Sequence, residues 1–235
     1  MMTAMNTPPR RYGRPARRPP PTWTILVPTL GQRADLFARL LNALLPQLDP
    51  HAGSVRVLGW WSHGTPTIGA IRDQLLSGAG TDYVSFVDDD DLVPGDYVDQ
   101  VTAALRSRPD HVGFKVEYSI DGVRQEVIDH SLRYGRWGRS RTGLFRDITH
   151  IDPVRTSLAR RGRFDVVQPG RAEDQAWVNQ VRPHLRTETY VDAVMYHYLW
   201  SPKVSAWQRP DLIRPVGARP EIGHPHFAWH PGCGR

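Results

Sequence analysis

Between Thr22 and Pro109 the chain passes three times from a short apolar run to a longer segment whose apolar residues fall at helical spacing. TWTILVP (Thr22 to Pro28) leads into GQRADLFARLLNALLPQL, where Leu36, Phe37, Leu40, Leu41 and Leu44 mark one helix face. SVRVLGW (Ser54 to Trp60) leads into TIGAIRDQLLSGAG, closed by glycines, and DYVSFV leads into PGDYVDQVTAALRSRPD, ended by Pro109. Three strand–helix units in succession predict a parallel sheet with helices on both faces, and ligands of such open sheets sit beyond the carboxyl ends of the strands. With 235 residues, 40% of them hydrophobic, the chain is long enough to close one α/β core.

The second half changes character. HVGFKVEYSI and GVRQEVID predict a hairpin around Asp121-Gly122. RYGRWGRSRTG (Arg133 to Gly143) reads as a Gly/Arg loop without an acid, and a helical patch runs from Pro153 to Arg161. AEDQAWVNQV (Ala172 to Val181) reads as a short helix opened by two acids, and AVMYHYLW (Ala193 to Trp200) as a late aromatic strand. The last 35 residues hold six prolines and no periodicity, which predicts a surface wrap. The division expected is a disordered Arg/Pro-rich leader over 1–21, a main domain over 22–200 with halves 22–110 and 111–200, and an extension over 201–235.

The net charge of +6 belongs to the leader. Residues 1–22 carry five arginines and no acid, leaving 25 basic against 24 acidic residues elsewhere. Such an arm can follow nucleic acid by neutralising phosphates, or it can be a solubilising leader. No apolar run reaches the roughly 18 residues of a membrane span. Cys233 is the only cysteine, so no internal disulfide forms. The expectation is a cytoplasmic protein without a membrane span.

The third apolar run ends in YVSFVDDDDLVPGDY, four consecutive aspartates emerging from a strand-like core segment. Side chains alternate along an extended chain, so Asp88 and Asp90 are expected on one face and Asp89 and Asp91 on the other. Hard cations take oxygen ligands, commonly one or two carboxylates together with substrate phosphates. Acids at a strand end beside a crevice therefore predict a diphosphate–metal site, with a plain acidic surface as the alternative.

WTILVPTLGQR, DDDDLVPGDY and AEDQAW, in this order, resemble the family-2 glycosyltransferases of the GT-A fold. The resemblance covers roughly Trp23 to Trp200, and its spacing is similar to short stand-alone members carried by tailed bacteriophages, including FDVVQPGRAEDQAW and MYHYLW. It implies a Rossmann-like, mostly parallel central sheet flanked by helices, with a small antiparallel hairpin and a C-terminal acceptor-side region. It also implies a metal-dependent, inverting transfer from a nucleotide-sugar donor, with Mn²⁺ or Mg²⁺, to a hydroxyl acceptor. In a phage-like setting that acceptor is a hydroxylated base in DNA or a virion protein side chain.

Residue by residue, the resemblance places Pro28, Thr29 and Arg33 at the nucleotide and Arg72 near the donor. Asp88 contacts ribose or sugar hydroxyls, Asp90 binds the metal, and Asp91 bonds the sugar or orients the loop. Asp89 is the acidic spacer on the donor side. Asp174, beside Glu173, is the general base, whereas without the resemblance this pair simply complements a helix dipole. Where relatives carry an acid after the second strand to read uracil, this chain has LGWWSHG, so Trp60, Trp61 and His63 stack on the base, or the donor is not a uridine nucleotide, with ordinary packing of the Trp pair as the alternative. The family's Arg-Asn pair is here Arg72-Asp73.

His197 is a candidate third metal ligand or acceptor contact, with a packed histidine as the alternative. The Gly/Arg loop, with Arg133, Arg136, Arg139, Arg141 and Trp137, either grips an anionic acceptor or the diphosphate or is a solvated loop; Arg136 and Arg139, with Trp177 in the acid-led helix, are the candidate acceptor contacts. The competing function is a carboxylate–metal nucleic-acid-processing enzyme or a nucleic-acid-binding module.

Overall fold

The computed structural model describes residues 18–63, 65–165, 173–201 and 219–233. Most of the Arg-rich leader, residues 166–172 and the greater part of the Pro-rich extension lie outside the described residues.

The three strand–helix units form as the periodicity predicts. β1 (Trp23–Leu30), β2 (Val55–Ser62) and β3 (Tyr83–Phe86) are parallel, with β1 in the middle. Alternation along β1 sends Trp23, Ile25 and Val27 to one face and Leu26 to the other. On the first face lie α1 (Ala34–Leu44) and α3 (Tyr97–Leu105), and α1 buries Phe37, Leu40, Leu41 and Leu44 at the i, i+3, i+4, i+7 spacing of one helical stripe. Against the opposite face packs α2 (Ile68–Gly78), through Ile71, Leu75 and Leu76. Its start is fixed by Thr67, whose side chain accepts from the Ala70 amide at 3.2 Å.

The second half extends the same sheet. β4 (His111–Ile120) and β5 (Val123–His130) form the expected hairpin, and Asp121 and Gly122 both take positive φ, 46° and 80°, as a tight two-residue turn requires. β9 (Glu188–Trp200) runs parallel to β4 and begins five residues before the predicted strand. The Gly/Arg loop is itself a hairpin, β6 (Gly138–Ser140) against β7 (Gly143–Arg146), with β7 paired to β5. The predicted helical patch after Pro153 splits into β8 (Val154–Arg155) and a single turn, α4 (Thr156–Ala159). β8 bridges β3 and β4 antiparallel, joining the two halves into one sheet. α5 (Glu173–Val181) covers the face that holds α2, burying Trp177, Val178 and Val181.

The Pro-rich extension does more than wrap the surface. β10 (Phe227–Trp229) pairs parallel with β2 at the sheet's edge, and Phe227 packs on Phe37 with ring centroids 6.2 Å apart. Gly59 permits this approach, because a Cβ there would lie 2.8 Å from the Phe227 ring and 2.9 Å from that of Trp229. Among the described residues no helix is long and apolar enough to cross a membrane.

Gly59→Val is expected to destabilise the protein by about 1–3 kcal/mol through overpacking against β10. Gly95→Ala, with open space around the added methyl, is expected to leave stability within about 0.5 kcal/mol. Urea unfolding of both variants checks this, and equal midpoints would show that β10 does not dock on Gly59.

Candidate active site

β3 ends at Phe86, and the aspartates follow in a turn closed by the Asp91 amide donating to the Asp88 carbonyl at 3.1 Å. The strand alternation expected of them therefore does not hold, and each carboxylate leaves in its own direction. Asp88 receives Arg72 Nη2 at 2.9 Å and faces His150 Nε2 at 3.2 Å. Asp89 accepts from Thr29 Oγ1 at 2.6 Å and pairs with Arg33 at 2.6 Å. Asp90 shares that guanidinium at 2.5 Å, and its side chain is 25% exposed. Asp91 is buried, accepting from Tyr196 Oη at 2.7 Å and the Leu199 amide at 2.8 Å. It pins the turn to β9.

The charge balance is unequal. Burial opposes ionisation of Asp88, but Arg72 and His150 outweigh it and hold the carboxyl far below the usual range. Burial dominates at Asp89 and, against the pull of Arg33, pushes its pKa up to about 7. Burial also raises Asp90 despite Arg33, and raises Asp91 strongly with Asp90 and Asp88 adding repulsion. Burial disfavours the charged form of Arg33 itself, and the surrounding aspartates reverse this and hold it protonated. One guanidinium thus serves two carboxylates, the turn holds more carboxyl groups than cations, and burial favours the neutral form of the excess.

α2 projects Arg72 into the same place. Its Nη1 pairs with Glu173 at 2.6 Å while Nη2 holds Asp88, so one buried guanidinium ties the end of β3 to the start of α5. Asp73 does not touch this region. It receives Arg163 Nε at 2.9 Å and the Phe164 amide at 3.0 Å, clasping the segment that leads towards α5. Gly69 lets α2 meet that segment, since a Cβ there would stand 2.9 Å from the Phe164 carbonyl.

These groups open onto one cleft of about 650 Å³, lined by Arg33, Arg72, Asp88, Asp89, Asp90, Glu173 and Asp174 among others. The opposite wall is the sheet face of β4, β5, β7 and β9, presenting Tyr118, Leu144, Tyr196 and Tyr198. Among the described residues Asp174, 31% exposed, makes no ion pair with an arginine, whereas Glu173 is bound to Arg72. Asp174 accepts from the Gln175 amide through Oδ1 at 2.8 Å, and of the two acids it is the one not tied to an arginine there. Asp90, whose Oδ2 pairs with Arg33, offers the cleft a partly exposed carboxylate, and a hard cation completed by phosphate oxygens suits such a donor. Among the described residues no group of three or more His, Cys, Asp or Glu is arranged to hold a metal ion by itself.

Several expected contacts lie elsewhere. Tyr196 and Tyr198 face the cleft, so His197 between them points to the other side of β9, with Nδ1 3.4 Å from Glu117. It is not placed to join Asp90 as a metal ligand. Trp60 and Trp61 are buried under β10, against His230 (4.9 Å) and Trp229 (6.0 Å), and pack rather than stack on a ligand. Trp177 stacks on Phe164 in the core at 5.1 Å, which removes it as an acceptor contact. Arg139 pairs with Glu126 at 2.5 Å, outside the cleft, and Arg136 lines a smaller adjoining cavity. Pro28 is buried within β1, and Thr29 reaches the site only through Asp89.

His150 and Arg146 are among the cleft residues that the sequence did not single out. His150 lies between Asp88 (3.2 Å) and Asp174 (4.0 Å), with Nδ1 buried and without a hydrogen-bond partner among the described residues. Arg146, at the end of β7, also lines the cleft. Neither belongs to a local motif: Arg146 is brought in by the pairing of β7 with β5, and His150 by its carbonyl accepting from the Phe86 amide at 2.9 Å.

No protein-family model matches the chain, and no curated protein matches it. Solved structures do share its fold. S. aureus TarS residues 1–349 in complex with UDP-GlcNAc is similar over 76% of this chain and 58% of that one, at TM-score 0.55 and 18% identity. The same fragment in complex with UDP gives TM-score 0.56 and 18% identity over 77% and 61% of the two chains. This chain therefore spans less than two thirds of the neighbours' length. With its sheet flanked by helices, the protein has the mixed α/β, GT-A-like fold expected from the sequence.

Arg72→Met leaves Asp88 and Glu173 without their shared cation. It is expected to cost about 3–5 kcal/mol at pH 7. Asp88, with its depressed pKa, contributes stability that is present above its unfolded value near 4 and lost as pH falls through the folded value. The deficit of the variant should accordingly narrow in acid, as unfolding at pH 7 and pH 3 can measure. A deficit independent of pH would contradict the electrostatic role.

Proposed function

We propose that the chain is an inverting glycosyltransferase that moves a sugar from a nucleoside-diphosphate donor to a hydroxyl acceptor, with a divalent cation at Asp90. The observation that carries this reading is the meeting of Asp90, Arg33 and Arg72 with Asp174 in one cleft, at the carboxyl end of β3. The complexes of the fold's neighbours with UDP and UDP-GlcNAc support a nucleotide-sugar as the donor class. The cation, Mn²⁺ or Mg²⁺, supplies positive charge to the departing diphosphate.

The protein's own residues do the rest. Asp90 would hold the cation and so favour the ionised form of the turn's excess carboxyl groups. Arg33, partly freed from Asp90, and Arg72 lie where a diphosphate gathers charge as the glycosidic bond lengthens. Asp88 and Asp89, fixed by arginines, shape the donor pocket, and Asp91 keeps the turn against β9.

Asp174 accepts the proton of the acceptor hydroxyl. That oxygen bonds to the anomeric carbon while the bond from the carbon to the diphosphate breaks. Attack from the face opposite the leaving group inverts the configuration. A hydroxylated base in DNA, or a hydroxyl side chain of a virion protein, would supply the nucleophile in a phage-like setting.

Asp90→Ala is expected to abolish the thermal stabilisation that UDP and Mn²⁺ together give the wild type. Asp174→Asn is expected to keep that stabilisation and to lose about 10²–10⁴-fold in transfer or donor hydrolysis. Full turnover by both variants would sink the mechanism.

A further inference from the structure

Arg146 and Arg136 are cations without an ion pair among the described residues. Two neighbouring arginines of the Gly/Arg segment are paired, Arg133 with Asp129 and Arg139 with Glu126, and Arg141 lies outside both cavities. Arg182, beside them, is held by Asp147 at 2.7 Å. Arg146 instead lies over the ring of Trp137 at 4.8 Å, and Arg136 faces Phe145 at 5.9 Å. Trp137 is 56% exposed, an unusual state for the largest apolar side chain.

Arg146 and Trp137 line both the main cleft and a smaller cavity of about 200 Å³, whose walls include Arg136, Gln175 and Asn179. The two cavities thus meet at this pair. Gln175 follows Asp174 directly on α5, so the smaller cavity opens beside the proposed base rather than beside the aspartate turn. The carboxylate with the strongest pull on Arg146 is Asp174, and burial opposes its charge. The cleft is therefore polarised. Its donor end holds more carboxyl groups than cations, whereas beyond Asp174 it holds unpaired guanidinium groups beside an exposed indole.

A guanidinium gains most from a phosphate oxygen pair, and an exposed aromatic gains from the flat face of a sugar or base. We infer that the Arg146–Trp137–Arg136 cavity is the acceptor subsite, and that it takes an acceptor bearing a phosphate monoester or diester close to the hydroxyl that attacks. This deepens the glycosyl-transfer reading and rests on it for the word acceptor. The phosphate site itself stands on the unpaired arginines alone. A phosphate bound there is separated from the departing diphosphate by Asp174, so two anions need not share one set of cations.

The test is calorimetric titration of glycerol 1-phosphate, and separately of glycerol, into the full chain with UDP and Mn²⁺ present. Wild type is expected to bind the phosphate ester and not glycerol. Arg146→Gln should weaken that binding about tenfold or more, the loss of a charge-assisted contact. Arg139→Gln, at an arginine already paired with Glu126, should leave it within about twofold, and UDP affinity should stay within about twofold in Arg146→Gln. Equal binding by wild type and Arg146→Gln, or no binding by wild type, overturns the proposal. Loss of UDP affinity in Arg146→Gln also overturns it, by placing the arginine on the donor. If UDP fails to bind wild type, the donor reading falls, while the titration without UDP still decides whether Arg146 holds a phosphate.

Discussion

The structure turns on four consecutive carboxylates placed where a central strand leaves the core. Ionised groups do not stay buried without partners, because desolvation then outweighs what they gain. Arg33 from the turn after β1, Arg72 from α2, Tyr196 from β9 and Thr29 from β1 all converge on this turn. Each comes from a different element, so the aspartates fix how those elements sit. Because Arg72 reaches on to Glu173, the same network also sets the start of α5 and the position of Asp174. In the proposed function a divalent cation with a diphosphate would join this network.

Much of this was legible in the sequence, for a simple reason. The strand–helix units announce themselves by local periodicity, and β1, α1, β2, α2, β3 and α3 all appear where the apolar spacing puts them. The hairpin turn at Asp121-Gly122 is equally local. What the sequence hid depends on distant pairing. β8 and β10 are two and three residues long, below the length at which alternation can be read, yet one joins the halves and the other finishes an edge. Trp60 and Trp61 look like ligand-stacking residues until β10 covers them.

The site shows the same division. Asp88, Asp90, Asp174, Arg33 and Arg72 could be named from motif and resemblance, and the fold brings all five to one cleft. Their individual directions could not, because the chain turns after Phe86 and strand alternation stops there. His197 was misplaced for the opposite reason. Alternation persists through β9 and carries it away from the cleft that Tyr196 and Tyr198 face. His150 and Arg146 lie in segments with no motif, and only the pairing of β7 with β5 puts Arg146 across from Asp174's helix.

In the proposed function the aspartate turn takes up one divalent cation together with a diphosphate. Counting bound Mn²⁺ by electron paramagnetic resonance, with and without UDP, tests this directly. One ion per chain is expected, held much more tightly when UDP is present because phosphate oxygens would complete its shell. Equal Mn²⁺ affinity with and without UDP, or no uptake at millimolar Mn²⁺ and UDP, would contradict it.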